Sequence, residues 1–309
     1  MKRTIFIFTL FALSFQLAFA QRTSKNANSK RKWNFYRHEL IVGVGGSNYL
    51  GELGGNPGPA ANFSPKDVEI SMFRPCFSLG YRYNIDDRFA IRPQFFYGRV
   101  GGSDALTENE ERKYRNLEFT SNIFELAVLG EYHILRANYG RGFYQKSVIG
   151  KTGQKFAASA HLGVGFFYFN PKYGSVALQP LGTEGQGVGG TKKYSRLAIA
   201  FPVGVSGGYM ITRSMQLGLD LTYRFTTTDY LDDASTVYFD KEEIRKANGD
   251  LAAEMSDRTD GSRDGWSEPG SPRGNPDRKD SYFSVAITWT YAPFIHIYKK
   301  PKRKVRPKF

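Results

Sequence analysis

The sequence is poor in three kinds of feature, and each shortage narrows the class of protein. It has one cysteine, Cys76, which excludes an internal disulfide framework. Beyond residue 20, no apolar run approaches the roughly 18 residues that a membrane-spanning helix needs. The four histidines, His38, His133, His161 and His296, offer little material for a metal site or for acid–base catalysis. A disulfide-stapled scaffold and a helical membrane protein are therefore both excluded.

The first twenty residues predict export. Lys2 and Arg3 precede an apolar run at residues 5–17, and a small-residue cleavage motif, AFA, ends at Ala20. A positive head, an apolar stretch and such a motif are typical of a secretory signal peptide. We expect residues 1–20 to be removed from the mature chain.

Aromatic residues and glycine are abundant, with 25 Phe, 19 Tyr and 33 Gly. In the stretch FSLGYRYNIDDRFAIRPQFFYG, residues 77–98, apolar side chains alternate with polar or small ones on both sides of IDDR. This period of two predicts two strands joined by a tight turn. An exported chain of this kind fits either a soluble β-sandwich or a transmembrane β-barrel.

Eight segments share the alternation, and their lengths favour the barrel. Beside the pair within 77–98, they lie near 39–50, 121–134, 156–169, 195–211, 215–225 and 281–291. Several alternate over about ten residues, the length of a tilted membrane-crossing strand, whereas sandwich strands usually have about five or six. The connections alternate between tight turns and long loops, as in outer-membrane barrels.

The sequence therefore predicts an all-β fold, a transmembrane antiparallel up-and-down β-barrel of eight strands within residues 38–292. Short turns would face the periplasm, and long loops, the longest at 226–280, would lie outside the cell. An even number of strands places both termini in the periplasm. The predicted location is the cell outer membrane, with membrane lipid as a partner. Residues 241–280 are charged and rich in Gly and Pro, which predicts a mobile loop with one short helix.

Charged residues interrupt the polar face of the strands, which would face the barrel lumen. Eight strands enclose only enough space for side chains, so we expect these charges to form a plug of ion pairs rather than a conduction path. The predicted lumenal ion-pair network consists of Arg82, Arg92, Glu125, Glu131, Arg196, Asp220 and Arg224.

The formal net charge of +14 is concentrated at the two ends of the chain. Residues 21–37 and 293–309 are basic and contain no acidic residue. Two hypotheses remain open for these tails: solvated segments that contact lipid headgroups, or a docking surface for an acidic periplasmic partner. Nothing indicates a nucleic-acid partner. The candidate partner-binding cations are Lys30, Arg31, Lys32, Lys299, Lys300, Lys302, Arg303, Lys304, Arg306 and Lys308.

No pattern predicts a catalytic, cofactor or metal site. Glu131, His133 and His161 could approach each other in the lumen, but packing is the favoured interpretation. Asp229, Asp232 and Asp233 could bind calcium, yet no EF-hand spacing follows them. We expect a protein that is not an enzyme, and an enzyme with its catalytic groups on the barrel rim is a minor alternative.

Three loop motifs resemble a known family. GSNYLGELG at 46–54, YFNPKYGSVALQPLGTEGQG at 168–187 and DYLDDASTVYFD at 229–240 occur in this order on a predicted eight-strand barrel. Together they are similar to the PorG family, outer-membrane barrels of the type IX secretion system of Bacteroidetes. The motif positions are Asn48, Tyr49, Gly51, Gln179, Pro180, Gly182, Thr183, Glu184, Gly185, Asp229, Tyr230, Asp232 and Asp233.

The resemblance implies a role in protein export and gliding without catalysis. It implies a protein that connects the periplasmic ring of the secretion machine, a lipoprotein with its partner, to the outer membrane. Whether the motif residues fix loop turns or contact another protein stays open, as does the alternative of a general structural or adhesive barrel with no role in secretion.

Overall fold

The computed structural model describes residues 37–51, 53, 72–107, 109–137, 144–145, 148–149, 154–212, 214–259, 261–263 and 265–293. The predicted signal peptide and the candidate tail cations, Lys30, Arg31, Lys32, Lys299, Lys300, Lys302, Arg303, Lys304, Arg306 and Lys308, lie outside these residues. No helix among the described residues is long and apolar enough to cross a membrane.

Eight strands form one closed antiparallel barrel, which confirms the predicted fold class. Each strand pairs with its neighbour in sequence, and β8 pairs with β1 from Leu40 opposite Tyr291 to Leu50 opposite Ser281. The strands are β1 (His38–Leu50), β2 (Arg74–Asn84), β3 (Phe89–Ser103), β4 (Glu118–Leu135), β5 (Phe156–Tyr173), β6 (Leu197–Met210), β7 (Met215–Thr226) and β8 (Ser281–Tyr291).

The alternation of the sequence is realised as an apolar outer surface. Leu126 and Phe166 are 66% and 68% exposed, although both are large apolar residues in the middle of strands. Exposed apolar side chains recur on every strand, including Leu40, Val44, Leu79, Ile91, Val128, Leu162, Leu197, Val205, Leu217, Leu219, Ile287 and Trp289. An apolar surface this extensive fits hydrocarbon rather than water, because soluble monomers expose much smaller patches. The barrel is therefore of the transmembrane type.

The two ends of the barrel differ in their connections. At the short-turn end, β2 joins β3 through residues 85–88 and β6 joins β7 through 211–214. The Asp86 carboxylate closes the first turn by accepting from the backbone N–H groups of Arg88 and Phe89 at 2.7 and 2.8 Å. The connection from β4 to β5 is longer and includes a short antiparallel pairing of Tyr144–Gln145 with Val148–Ile149. The barrel also begins and ends at this end, at His38 and Tyr291.

The long-loop end carries a folded cap, formed by the described residues of 104–117, 174–196 and 227–280. It contains three helices, α1 (Glu110–Arg115), α2 (Lys241–Asn248) and α3 (Asp250–Ser256). The Asp240 side chain caps α2 by accepting from the N–H groups of Glu242 and Glu243. The segment 241–280 thus holds two helices where the sequence predicts one, and they bury Ile244, Ala252 and Ala253.

A hydrophobic cluster joins the cap to the barrel interior. Inward-facing barrel residues such as Phe96, Ile123 and Phe169 belong to the same cluster as Leu231 and Met255 of the cap. The interior is therefore mainly apolar toward the long-loop end, where side chains fill it. Most of the charged lumenal residues lie deeper, toward the short-turn end, whereas Arg224 and Glu125 lie next to the apolar cluster.

We predict that exposed leucines on the barrel wall and on the cap tolerate charge differently. Arginine in place of Leu126, near the middle of β4, should lower the free energy of unfolding by about 2–4 kcal/mol, because it places a charge in hydrocarbon. The measurement is urea-induced unfolding of the barrel folded in lipid vesicles.

The matched control is Leu251→Arg on α3, since Leu251 is also exposed, at 44%, but on the cap. Its effect should stay within about 0.5 kcal/mol, as for an ordinary surface substitution. Equal effects of the two substitutions would contradict a lipid-facing wall.

Candidate functional site: a charged lumen beneath a loop cap

One ion-pair chain crosses the lumen in the half nearer the short-turn end. Arg82 pairs with Glu131 and, at 2.7 Å, with Glu39. The Arg92 Nε atom lies 2.9 Å from a Glu131 oxygen, and its Nη1 atom lies 3.2 Å from Asp220. These groups belong to five strands, so the chain ties opposite parts of the barrel wall together. Their side chains are almost completely buried, and each charge therefore needs its partner.

A second ion pair lies beneath the cap. The Arg224 Nε atom is 2.8 Å from Glu125, and the Tyr282 hydroxyl donates to the same carboxylate at 2.6 Å. Arg224 also donates to the Ser284 hydroxyl at 2.8 Å, and its guanidinium lies 3.8 Å from the centre of the Phe96 ring. This pair is enclosed on one side by aromatic rings and on the other by the polar lumen.

The structure brings six of the predicted lumenal residues into these two groups but not Arg196. The prediction that Arg196 belongs to the lumenal network is wrong. Arg196 precedes the first residue of β6, so strand alternation does not fix its side chain. Its guanidinium lies 5.4 Å from the Tyr168 ring and donates to the Asn170 side chain at 3.4 Å, on the outer wall.

The two strand histidines have separate polar partners. His161 contacts the Thr222 hydroxyl at 3.0 Å, and Thr222 donates to Asp220 at 2.5 Å. His133 contacts the Asn84 side chain at 2.8 Å. Within the described ranges, no group of three or more His, Cys, Asp or Glu side chains could hold a metal ion.

A small cavity of about 50 Å³ lies at the short-turn end of the lumen. Arg82, Arg92, His133, Gln216 and Asp220 are among its lining residues. A volume of this size holds a few water molecules, which suits its charged and polar walls. The lumen therefore has room for water at the short-turn end, whereas side chains fill it toward the long-loop end.

The three loop motifs meet in one buried cluster of the cap. The Tyr49 hydroxyl, at the end of β1, lies 2.6 Å from a carboxylate oxygen of Asp232 and 2.6 Å from one of Asp280. A single hydroxyl proton can serve one of these contacts, so the other requires a protonated carboxyl. Asp280 also accepts from the backbone N–H of Leu231 at 2.9 Å. We call this group of Tyr49, Asp232 and Asp280 the clasp.

The second and third motifs are joined around Asp233. Its two carboxylate oxygens accept from the Thr183 hydroxyl at 2.6 Å and from the Tyr194 hydroxyl at 2.5 Å. Glu184 accepts from the backbone N–H of Ser235 at 2.8 Å. Arg273 donates both to Glu184 at 3.0 Å and to the backbone oxygen of Asp233 at 2.5 Å. Motif residues from distant parts of the sequence therefore satisfy one another inside the cap.

The glycines of the second motif are required by backbone geometry. Gly182 and Gly185 have φ angles of +63° and +81°, a region that favours glycine. A Cβ atom on Gly185 would lie 2.5 Å from the Phe239 ring, and one on Gly182 would lie 2.0 Å from the Gln186 backbone oxygen. Asp233, at φ +66°, adopts the same region without being glycine.

The remaining motif residues line the same cap. Tyr230 stacks on Tyr194 with ring centres 4.3 Å apart, and Gln179 donates to the Tyr194 backbone oxygen at 3.0 Å. Asn48 and Asp229 are buried, Pro180 begins a short 3₁₀ turn with Gln179, and Gly51 lies against the Tyr49 hydroxyl. Sequence reasoning missed Tyr194, Arg273 and Asp280, because no motif or period marks these partners.

Burial controls the ionisation of the cap carboxyls. Burial raises the pKa of Asp232 to about 8, and the nearby Asp229 adds to the rise while the Tyr49 hydrogen bond opposes it. Burial likewise raises the pKa of Asp233 to about 6, against the opposing charge of Arg273. The pKa of Asp280 is raised by burial and by the charge of Asp232. Near neutral pH the clasp therefore retains a proton between its two carboxyls.

Comparison with known proteins places the chain in a family. Residues 28–250 match the family described as Domain of unknown function (DUF6089). No curated protein matches the sequence.

Solved structures with a similar fold include three bacterial surface or outer-membrane proteins. Neisserial surface protein A is 9% identical, with a TM-score of 0.36 over 83% of this chain and 97% of that one. The outer membrane protein OprG from Pseudomonas aeruginosa is 10% identical, with a TM-score of 0.34 over 83% and 96%. A major outer membrane protein from Thermus thermophilus is 10% identical, with a TM-score of 0.35 over 82% and 98%. Likeness at this level gives no information on function.

We predict that the Arg224–Glu125 pair is costly to break but tolerant of apolar replacement. Glu125→Ala should lower the free energy of unfolding by about 3–5 kcal/mol, because Arg224 keeps its charge in a buried site without its carboxylate. The double variant Glu125→Leu with Arg224→Met should recover more than half of that loss. Urea-induced unfolding in detergent micelles measures both, and a loss below about 1 kcal/mol for the single variant would contradict a buried, tightly coupled pair.

We predict that the cap becomes less stable as the pH rises. Because Asp232 binds its proton more tightly in the closed cap than in the open chain, whose carboxyl has a pKa near 4, it favours closure fully below pH 4. This contribution is lost as the pH rises from about 4 to about 8. The measurement is urea-induced opening of the cap at several pH values, followed by the fluorescence of Trp266.

Asp232→Asn should weaken this dependence, because the amide does not titrate. Asp233 and Asp280, whose pKa values burial also raises, should account for the part that remains. Asp277→Asn is the control, since Asp277 is an exposed carboxyl of the same cap. Equal pH dependence in both variants would show that another group is responsible.

Proposed function

We propose that this chain, which belongs to the family described as a domain of unknown function (DUF6089), is a non-enzymatic component of the type IX protein secretion machinery. In this role it anchors the periplasmic ring complex, a lipoprotein and its partner, to the outer membrane, and so supports protein export and gliding. The proposal assigns the short-turn end to the periplasm and the long-loop end to the cell exterior, as is usual for outer-membrane barrels.

The observation that carries the proposal is the convergence of the three loop motifs. Tyr49 of the first motif and Asp232 of the third share one hydrogen bond, and Thr183 of the second contacts Asp233 of the third. The motifs that resemble the PorG barrels thus form one three-dimensional unit. The residues that carry the resemblance therefore contact one another in the cap, whereas strand alternation alone would match any small barrel.

The filled interior supports an anchor rather than a channel. Apolar side chains such as Ile123 and Phe169 are fully buried beneath the cap, and ion pairs cross the lumen below them. A barrel of this kind can serve as an attachment point in the membrane. Its function then depends on what contacts the cap at one end and the basic segments at the other.

The position of the chain ends supports contact with a periplasmic partner. Leu40 and Tyr291 are paired neighbours at the short-turn end, so the segments that precede β1 and follow β8 leave the barrel at the same rim. Both segments are basic and lack acidic residues. We propose that they form one positively charged docking surface for an acidic face of the ring.

A second candidate function is a general structural or adhesive barrel. It is favoured by a half-exposed cluster on the cap, where Arg263 lies 4.5 Å from the Trp266 ring and Tyr114 packs edge-on against that ring at 5.6 Å. Aromatic and arginine side chains of this kind are frequent in binding surfaces. On this alternative, removing the protein weakens adhesion or the cell envelope while secretion continues.

We predict that the tail cations are required for ring attachment and export. In a strain that lacks the gene, glutamine at Lys299, Lys300, Lys302, Arg303, Lys304, Arg306 and Lys308 should restore barrel insertion but reduce export of secreted cargo and co-purification of the ring. The physical reason is the loss of surface attraction, which salt screens over about 10 Å at 0.1 M. Co-purification of the unaltered protein should therefore weaken as salt rises.

A variant with glutamine at the cap cations Lys113, Lys192 and Lys246 is the control and should export normally. Normal export in the strain that lacks the gene would contradict the secretion role. Envelope or adhesion defects with intact export would support the second candidate. Unchanged ring co-purification by the tail variant would contradict the docking surface alone.

A further inference from the structure

The outer wall of β3, β4, β5 and β6 changes character abruptly near the long-loop end. One cross-strand row consists of Tyr97, Phe124, Tyr168 and Leu197, which are paired neighbours on successive strands. Tyr97 and Phe124 have their ring centres 5.1 Å apart. This row is the upper edge of the lipid-facing surface on this side of the barrel.

The next two outward rows are polar and basic. Arg99 pairs with Asn122, and Asn122 pairs with Asn170, one step above the aromatic row. Above these, Thr120 pairs with Lys172. Neighbouring strands are about 4.8 Å apart and outward residues on one strand about 6.6 Å apart, so this surface follows the aromatic row without a gap.

Arg196 completes the surface. Its guanidinium lies over the Tyr168 ring at 5.4 Å and donates to the Asn170 side chain at 3.4 Å, which holds it beside the polar rows. Arg99 donates to the Thr120 hydroxyl at 3.5 Å. We call Arg99, Lys172 and Arg196, with the amides of Asn122 and Asn170, the basic patch.

The cations of the basic patch keep most of their hydrogen-bonding capacity. Across the part of the chain that the structure describes, none of Arg99, Lys172 and Arg196 forms an ion pair with a carboxylate. An arginine has five N–H donors, and each arginine here uses one in a long hydrogen bond. Glu118 is the nearest acidic residue on the same face of β4. It lies two residues beyond Thr120 toward the long-loop end, and so farther from the lipid-facing rows.

Among the described residues, the patch lies on the side of the barrel formed by β3, β4, β5 and β6. On β7 and β8 the outward residues remain aromatic close to the long-loop end, with Tyr223 paired to Phe283 and Phe225 following. Phe283 packs edge-on against Phe73, with ring centres 5.5 Å apart. A general feature of the membrane boundary would surround the barrel, whereas these three cations, on β3, on β5 and immediately before β6, form a local site.

We propose that the basic patch binds the phosphate groups of membrane-lipid headgroups in the leaflet at the long-loop end. Continuity with the lipid-facing aromatic row places the cations at headgroup depth, where a lipid phosphate lies directly above its acyl chains. Arginine binds phosphate in a bidentate manner and lysine binds it as a point charge, while amide side chains donate to the remaining oxygens. The inference goes beyond the proposed secretion role and does not depend on it.

The test is photo-crosslinking of the full-length protein in phosphatidylcholine vesicles that contain a small fraction of photoactivatable phosphatidic acid. The same experiment with photoactivatable phosphatidylcholine gives the background from lipid contact alone. Peptide mapping separates crosslinks in 97–124 and 166–199 from those in the basic tails, which serve as an internal reference. The expected result is enrichment of phosphatidic acid over phosphatidylcholine at the patch peptides.

Substitution of glutamine for Arg99, Lys172 and Arg196 should reduce this enrichment at least about tenfold relative to the tails, since each cation near a charged lipid surface contributes roughly fivefold. The control is Lys113→Gln, Lys192→Gln and Lys246→Gln, which removes three exposed cap charges and should leave the enrichment within about twofold. If the triple variant does not fold, the single variants Arg99→Gln and Lys172→Gln should each show a reduction of about threefold or more.

Two outcomes would overturn the proposal. Equal enrichment in the patch variant and the control would show that the phosphate binds elsewhere. Loss of the crosslinks on addition of free inorganic phosphate at modest concentration, without an equal effect of chloride, would identify a site for a soluble anion rather than for a lipid.

Discussion

Every backbone N–H and C=O group within a membrane needs a partner in the protein, and this requirement determines the rest of the structure. A sheet meets it only by closing, which here occurs where β8 pairs with β1 along all eleven residues of β8. Closure inverts the usual arrangement, because apolar side chains face outward and polar ones face inward. Arg82, Arg92 and Arg224 are then buried. The carboxylates of Glu131, Asp220 and Glu125 offset the free-energy cost of burying these charges.

The interior has two layers with different chemistry. Toward the short-turn end, ion pairs and a small cavity give a polar lumen. Toward the long-loop end, Phe96, Ile123 and Phe169 form a hydrophobic cluster that continues into Leu231 and Met255 of the cap. The cap is thus not an independent domain placed on the barrel, since both share one core. This continuity leaves the long-loop half of the barrel filled with side chains.

Strand alternation predicted the fold because a period of two can be read from a short stretch of sequence. Every lipid-facing position also requires an apolar side chain, so the same pattern recurs on each strand. The predicted segments 215–225 and 281–291 agree closely with β7 and β8. The predicted ends of β4 and β5 were short by up to four residues, because Glu118 and Lys172 are polar on the outer face and break the pattern. Arg196 was misassigned for a related reason, since it lies just outside β6 and turns over Tyr168.

The cap was the part that sequence reasoning could not build. The motif residues Asp232, Asp233 and Glu184 were recognised, but their partners Asp280, Tyr194 and Arg273 come from loops without periodicity. Such contacts join residues that are far apart in the sequence. They depend on which loops pack together above the barrel, and a local sequence pattern does not show this. The helices α2 and α3 were only partly expected, because the charged composition of 241–280 obscured the buried Ile244, Ala252 and Ala253.

The clasp has a consequence for the order of assembly. Tyr49 lies at the end of the first strand and Asp280 immediately before the last, so their contact spans the seam where the ring closes. These two residues are 231 positions apart, and only the arrival of the final strand brings them together. A partly assembled sheet, with its first and last strands still separate, cannot form this hydrogen bond. The clasp therefore fixes the cap only after the last strand has paired with the first, and an intact clasp indicates a closed barrel.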